Sequence, residues 1–183
     1  MAACLTGFQE QNVAKTKDAV DEIAAQWRRE LPDLEAENMI LIGRLKRCAA
    51  LAESELDKVF AAHGLGGGLF DVLAALRRSG APYTLTPTEL YSSLMVTSGT
   101  MSTRLKKLEA EGWIERLPNP QDARSMLVRL TDSGKTLVEK AVYPHVANEK
   151  RLLDKLDGET RLILERGLAA LLRAWEGGTD EAV

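Results

Sequence analysis

Long apolar runs are missing from this chain. No stretch approaches the roughly 20 residues a membrane helix needs, and no signal-peptide core opens the N-terminus, so the cytoplasm is the expected compartment. Cysteine is nearly absent: Cys4 and Cys48 stand far apart and form no metal or redox motif. Two histidines, His63 and His145, have no acidic partners at a telling spacing, which argues against a zinc site. No nucleophile–base set is visible. Gly66-Gly67-Gly68 lacks the preceding strand that a phosphate-cradling loop requires. An enzyme is therefore not expected, nor a bound cofactor.

What is present is a globular composition, 45% hydrophobic and 28% charged over 183 residues, without internal repeats or a low-complexity linker. That reads as one domain with two lobes. The net charge of −3 argues against a protein that coats nucleic acid indiscriminately, but the charge is unevenly spread. Residues 97–129 carry six Lys or Arg against four acids, while the flanks are acidic. A small basic face on an acidic body fits a selective binder of DNA.

Apolar spacing predicts an amphipathic helix from about Phe8 to Glu30, broken at Leu31-Pro32-Asp33. A long helix follows from about Leu34 to His63, with Met39, Ile42, Leu45, Leu51, Leu56, Val59 and Phe60 as its apolar stripe and Cys48 as a small core residue. The next covers Leu69 to Ser79. Thr86 as N-cap, Pro87 at the first helical position and Glu89 three residues past the cap start another, to about Leu94. After Thr131-Asp132-Ser133-Gly134 a long helix runs to about Leu156, interrupted at Pro144, and a last one reaches about Trp175.

Between them lies the segment Thr97 to Thr131. Small hydroxyl residues and a glycine open a short basic helix, which Gly112 ends. Alternating segments Trp113 to Leu117 and Met126 to Leu130 flank a tip rich in Pro, Asn and Asp. Helix, turn, helix and adjoining hairpin make a winged helix-turn-helix, so the fold class is mainly α with a small β-wing. Residues 65–131 form this lobe, and the helices of 8–63 and 132–176 form the other. Leu152, Leu153, Leu156, Leu164, Leu168, Leu171 and Trp175 supply more apolar surface than the central motif covers. A homodimer would bury it and set two reading helices on successive major grooves about 34 Å apart; a bundle closing on itself is the alternative.

In this order the chain resembles the MarR (multiple antibiotic resistance regulator) family. The most specific match is Asn119-Pro120-Gln121-Asp122-Ala123-Arg124-Ser125, then Val128-Arg129-Leu130-Thr131-Asp132-Ser133-Gly134, and similarity extends from about Leu34 to Trp175. The resemblance implies a homodimeric transcription factor on a palindromic operator, often a repressor released by a small anionic or phenolic ligand or by oxidants. It implies that Asp122 orients Arg124, whose guanidinium enters the minor groove. With Met101, Leu105 and Leu108 facing inward, Ser98, Thr100, Ser102, Thr103, Lys106 and Lys107 are left near the major groove. Position 103 is often Arg in the family and is Thr here.

Four scattered residues are similar to the urate-responsive branch: Trp27 on an extra N-terminal helix, Asp71 in GGLFDVL, Arg104 on the recognition helix and Arg116 at the wing base. The resemblance implies that they line an effector pocket, with Asp71 pairing an arginine until an anion competes. Urate is a flat anion that two arginine forks can hold, and another aromatic acid would also suit. Oxidation of Cys4 or Cys48 is the alternative trigger, although only Arg47 lends Cys48 positive surroundings.

Overall fold

The computed structural model describes residues 17–94, 98–122 and 124–177. The chain runs α1 (Ala19–Glu30), α2 (Glu37–Ala61), α3 (Gly67–Arg78), β1 (Thr84–Leu85), α4 (Pro87–Leu94), α5 (Ser98–Ala110), β2 (Ile114–Pro118), β3 (Met126–Leu130), α6 (Asp132–Leu153) and α7 (Gly158–Glu176). It sorts into two compact units, Met1–Leu51 and Ala52–Val183, with the boundary inside α2. Among the described residues no helix is long and apolar enough to cross a membrane.

In the first unit Asp18 fixes where α1 begins. Its Oδ1 accepts the backbone N–H of Val20 (2.8 Å) and of Asp21 (2.9 Å), and Asp21 Oδ2 accepts the Asp18 N–H in return. This reciprocal cap satisfies donors that the first turn leaves open. The expected helix from Phe8 thus has its described start at Ala19, and residues 8–16 lie outside the described part. Arg44 on α2 forks across the cap, Nε to Asp18 (2.8 Å) and Nη2 to Asp21 (2.7 Å). The hydrogen bond from Arg44 holds the Asp18 carboxyl down at about 2. Val20 and Ala24 are buried, whereas Met39, Ile42 and Leu51 of the expected stripe are exposed. Cys48 is also exposed rather than a core residue, because it stands on the open side of α2.

The second unit is built on α3. Leu69, Phe70, Val72, Leu73, Ala75 and Leu76 are all buried, far more of the helix than one amphipathic face, because α4, α5, α6 and β3 pack around it. A helix covered on several sides is apolar nearly all round. Phe70 stacks on Phe60 with ring centroids 4.5 Å apart, and His145 of α6 tilts against both rings.

The wing is a three-stranded antiparallel sheet in the order β1-β3-β2, one strand more than the hairpin read from sequence. Thr84 pairs with Arg129 and Leu85 with Val128. Two residues are too few to show alternation, so β1 left no periodic signal. Thr86 caps α4 as expected: its Oγ1 accepts the Glu89 N–H (3.2 Å), and Glu89 Oε2 accepts the Thr86 N–H (2.7 Å). Thr86→Ala is expected to cost about 1 kcal/mol, lowering the thermal midpoint by about 2–4 °C. Thr86→Ser should melt close to wild type. An alanine variant with an unchanged melting curve would show that α4 does not need the cap.

Thr131 caps α6, its Oγ1 accepting the Gly134 N–H (3.1 Å). The helix then runs through Pro144 without the interruption read from sequence. One lost donor inside a long packed helix is outweighed by the turns on either side. α7 ends at Gly177 in the left-handed region, φ 73°, as a helix-terminating glycine commonly does. No residue of α7 is buried.

Candidate nucleic-acid interface and effector site

Helix α5 turns its apolar residues inward. Met101 and Leu108 are fully buried and Leu105 nearly so, at intervals of four and three residues that keep them on one face. Thr100, Ser102, Thr103, Lys106 and Lys107 consequently lie exposed. Ser98 begins the helix, but its side chain lies outside the described part. Gly112 ends the segment with φ +70°. Its carbonyl accepts both Thr131 Oγ1 (2.8 Å) and Ser133 Oγ (2.9 Å), tying the end of α5 to the start of α6.

The wing tip is a set of local turns. Asn119 Oδ1 accepts the Gln121 N–H (3.0 Å), and Asn119 Nδ2 donates to Ser125 Oγ (2.8 Å). Asp122 Oδ1 accepts the backbone N–H of Arg124 (3.0 Å). The contact between Asp122 and residue 124 is thus made through the backbone of Arg124. A short carboxylate reaches the N–H two residues on more readily than the end of a long side chain. Arg124 is exposed, and Ala123 lies outside the described residues.

Of the four expected effector residues, the second unit brings Asp71 and Arg104 together. Asp71 is on the first turns of α3, and Arg104 projects from α5 across Gly68 of the same helix. Asp71 keeps exposed surface, yet the protein packed about its carboxyl holds it above the usual carboxylate range. The charges of Arg104, His145 and Arg78 oppose that rise. Asp71 and Arg104 therefore feel one another without closing an ion pair. Arg104 Nη1 is buried without a hydrogen-bond partner, as is His145 Nδ1, while His145 Nε2 lies 3.3 Å from Glu149.

Arg116 is engaged elsewhere. Its Nε lies 3.1 Å from Glu109 Oε2, close enough for charge pairing but off the line a hydrogen bond needs, so that buried Nε also lacks a hydrogen-bond partner. This contact braces β2 against the end of α5. Trp27 belongs to the first unit, on α1, and is 41% exposed. Sequence reasoning missed Gly68, Glu109 and His145. Gly68 read as part of a glycine-rich connection, and Glu109 as one of the four acids within residues 97–129.

A buried helical hub that presents a polar helix beside a three-stranded wing defines a winged helix-turn-helix protein. A MarR family model matches residues 63–125. The HTH-type transcriptional regulator PecS of Dickeya dadantii (strain 3937) is 42% identical over 142 residues, 78% of this chain and 86% of PecS. A mutant MarR from E. coli complexed with operator DNA superposes with a TM-score of 0.66 at 29% identity, covering 76% of this chain and 99% of that one. A MarR family regulator from Streptomyces coelicolor in complex with DNA shares the fold, with a TM-score of 0.69 at 24% identity over 81% of this chain and 92% of that one. The chain belongs to the MarR family. It is a transcriptional regulator and not an enzyme.

Proposed function

We propose that this protein is a homodimeric repressor that binds a palindromic operator and is released by a small anionic aromatic effector, with urate the leading candidate. The observation that carries DNA reading is the division of α5. Met101, Leu105 and Leu108 are consumed by the core, so the exposed surface of α5 is polar and led by hydroxyls and lysines, with Glu109 and Ala110 exposed only at its C-terminal end. Ser98, Thr100, Ser102, Thr103, Lys106 and Lys107 then serve phosphates and base edges, and Arg124 the narrow minor groove beside the wing, with Asp122 setting its backbone. DNA complexes of the E. coli and S. coelicolor relatives support this reading. The bare apolar face of α7 supports the dimer. A regulator on DNA works in the cytoplasm.

The effector reading rests on Asp71 and Arg104, with Trp27 and Arg116 as the further expected contacts. A buried guanidinium nitrogen without an acceptor is costly to maintain, and a planar anion supplies the acceptor. To release DNA the effector must prefer the form that does not bind DNA. A hundredfold preference corresponds to about 2.7 kcal/mol per site.

Fluorescence anisotropy on the protein's own upstream region tests both parts. Arg124→Ala should weaken binding by about 1–3 kcal/mol, and unchanged affinity would remove the wing from the interface. Millimolar urate should release wild type with a change in Trp27 fluorescence. Retained DNA with unchanged fluorescence would end the urate reading and leave the regulator standing. Peroxide sensing is the second reading, favoured by the exposed free thiol of Cys48, with Cys4 outside the described residues. A cysteine-free variant that still answers peroxide would exclude it.

A further inference from the structure

We infer that Gly68 is a positioning residue of the effector response, the seat on which Arg104 is held; the inference rests on the effector reading above. A Cβ placed at residue 68 would lie 2.4 Å from Arg104 Cζ, 2.4 Å from Nη2 and 2.5 Å from Nε. Carbon atoms in contact settle about 3.5–4.0 Å apart, so the guanidinium occupies the space that any side chain at 68 would fill. Three atoms of one plane are nearly equidistant from that point, so the guanidinium meets α3 broadside.

Acids near this place are few: Asp57 Oδ1 of α2 lies 3.2 Å from where a Cβ at residue 67 would sit, and Asp71 follows on α3 itself. The first turn of α3 carries no acid, and its N-cap, Gly66, offers no side chain. The backbone N–H groups of a helix start are themselves positive and repel a guanidinium. What favours Arg104 here is Asp71, three residues along from Gly68 and on the same face of α3, acting through charge without a closed ion pair. Shape therefore does the seating. The absent Cβ allows Arg104 to reach Asp71's neighbourhood with Nη1 still unpartnered, which is the donor an anion would take.

The geometry also separates this role from folding. The atoms a methyl group at 68 would meet are the far end of a flexible side chain, which can swing aside while α3 and α5 remain packed through Leu73, Leu76 and Leu105. The donor would then point elsewhere, and the anion would lose a charge-assisted hydrogen bond, one of the stronger kinds. Because Arg104 stands on the recognition helix, the seat is also where the effector site and the reading helix share one side chain.

The test is a double-mutant cycle of Gly68→Ala and Arg104→Ala in the full chain, with Gly66→Ala as control, since a Cβ at 66 meets nothing within 4 Å. Gly68→Ala should raise the urate midpoint for DNA release tenfold or more, and Gly66→Ala should stay within twofold. In the Arg104→Ala background, adding Gly68→Ala should change the midpoint no further. In that background it should also raise the melting temperature, as alanine for glycine in a helix does, and raise it less or lower it when Arg104 is present. A midpoint within twofold for Gly68→Ala, an equal loss for Gly66→Ala, or melting effects of Gly68→Ala independent of Arg104 would each overturn the seat. If urate fails to release wild type, the effector reading fails separately, and the melting cycle alone decides: coupling upholds the seat and additivity rejects it.

Discussion

Replacing Gly134 with alanine is expected to destabilise the wing severely. A Cβ there would lie 2.0 Å from the Trp113 carbonyl oxygen, 2.9 Å from the carbon behind it and 3.0 Å from Leu130 Cδ1. Unlike the arginine over Gly68, this obstacle is backbone. The Trp113 carbonyl is held by the Thr131 N–H at 3.1 Å and cannot rotate away without opening that bond. The start of α6 must then lift from the start of β2, taking with it the Thr131 cap and the hydroxyls on Gly112. Overpacking a core commonly costs about 1–3 kcal/mol, and here both the clash and the lost hydrogen bonds contribute. We expect about 3 kcal/mol or more, a fall of roughly 6–12 °C in the thermal midpoint. Gly158→Ala, where a Cβ meets nothing within 4 Å, should melt close to wild type. A Gly134→Ala protein that melted within a degree of wild type would contradict the packing of α6 on the wing.

Charging α7 should take apart the dimer proposed above. Leu168 and Leu172, one turn apart on the same face, are 43% and 52% exposed, and Ile163 and Trp175 stand out beside the same helix. Burying a leucine side chain is worth about 1.5–3 kcal/mol, so a face of this size on each protomer drives a large fraction of an association. Leu168→Glu combined with Leu172→Glu should give the monomer mass in sedimentation and weaken operator binding a hundredfold or more. Each half-site would then be held alone. In a protein that is monomeric from the outset, charges at exposed positions change stability by only about 0.5 kcal/mol and change no mass. A wild-type monomer, or a double variant that still dimerises, would refute the assignment of α7.

What could be read from the sequence was mostly local. The Thr86–Glu89 cap spans three residues and is written in adjacent letters, and it is present as read. The inward set Met101, Leu105 and Leu108 follows from one helical period and is buried. The wing strands follow from alternation. Features that join distant parts of the chain were not visible. Gly134 against Trp113 spans 21 residues, and β1 against β3 involves only two residues of the shorter strand. Gly68 looked like linker because its purpose is to leave room for Arg104, 36 positions further on. Asp122 was read as orienting Arg124, and the contact it makes is with the nearby backbone N–H. On α2, Cys48 was read as a small core residue and is exposed, and Met39, Ile42 and Leu51 of the apolar stripe are exposed beside it.

One joint has a mechanical consequence. The Gly112 carbonyl, carrying the hydroxyls of both Thr131 and Ser133, fastens the end of α5 to the start of α6. At 1.5 Å per residue the 22 residues of α6 make a rod about 33 Å long. A tilt of about 10° about one end of such a rod sweeps the other through about 6 Å, comparable to one helical turn. In a dimer joined through α7, the distance between two reading helices is then governed by an angle. No bond need stretch and no core need repack for the two halves to fall out of step with the DNA.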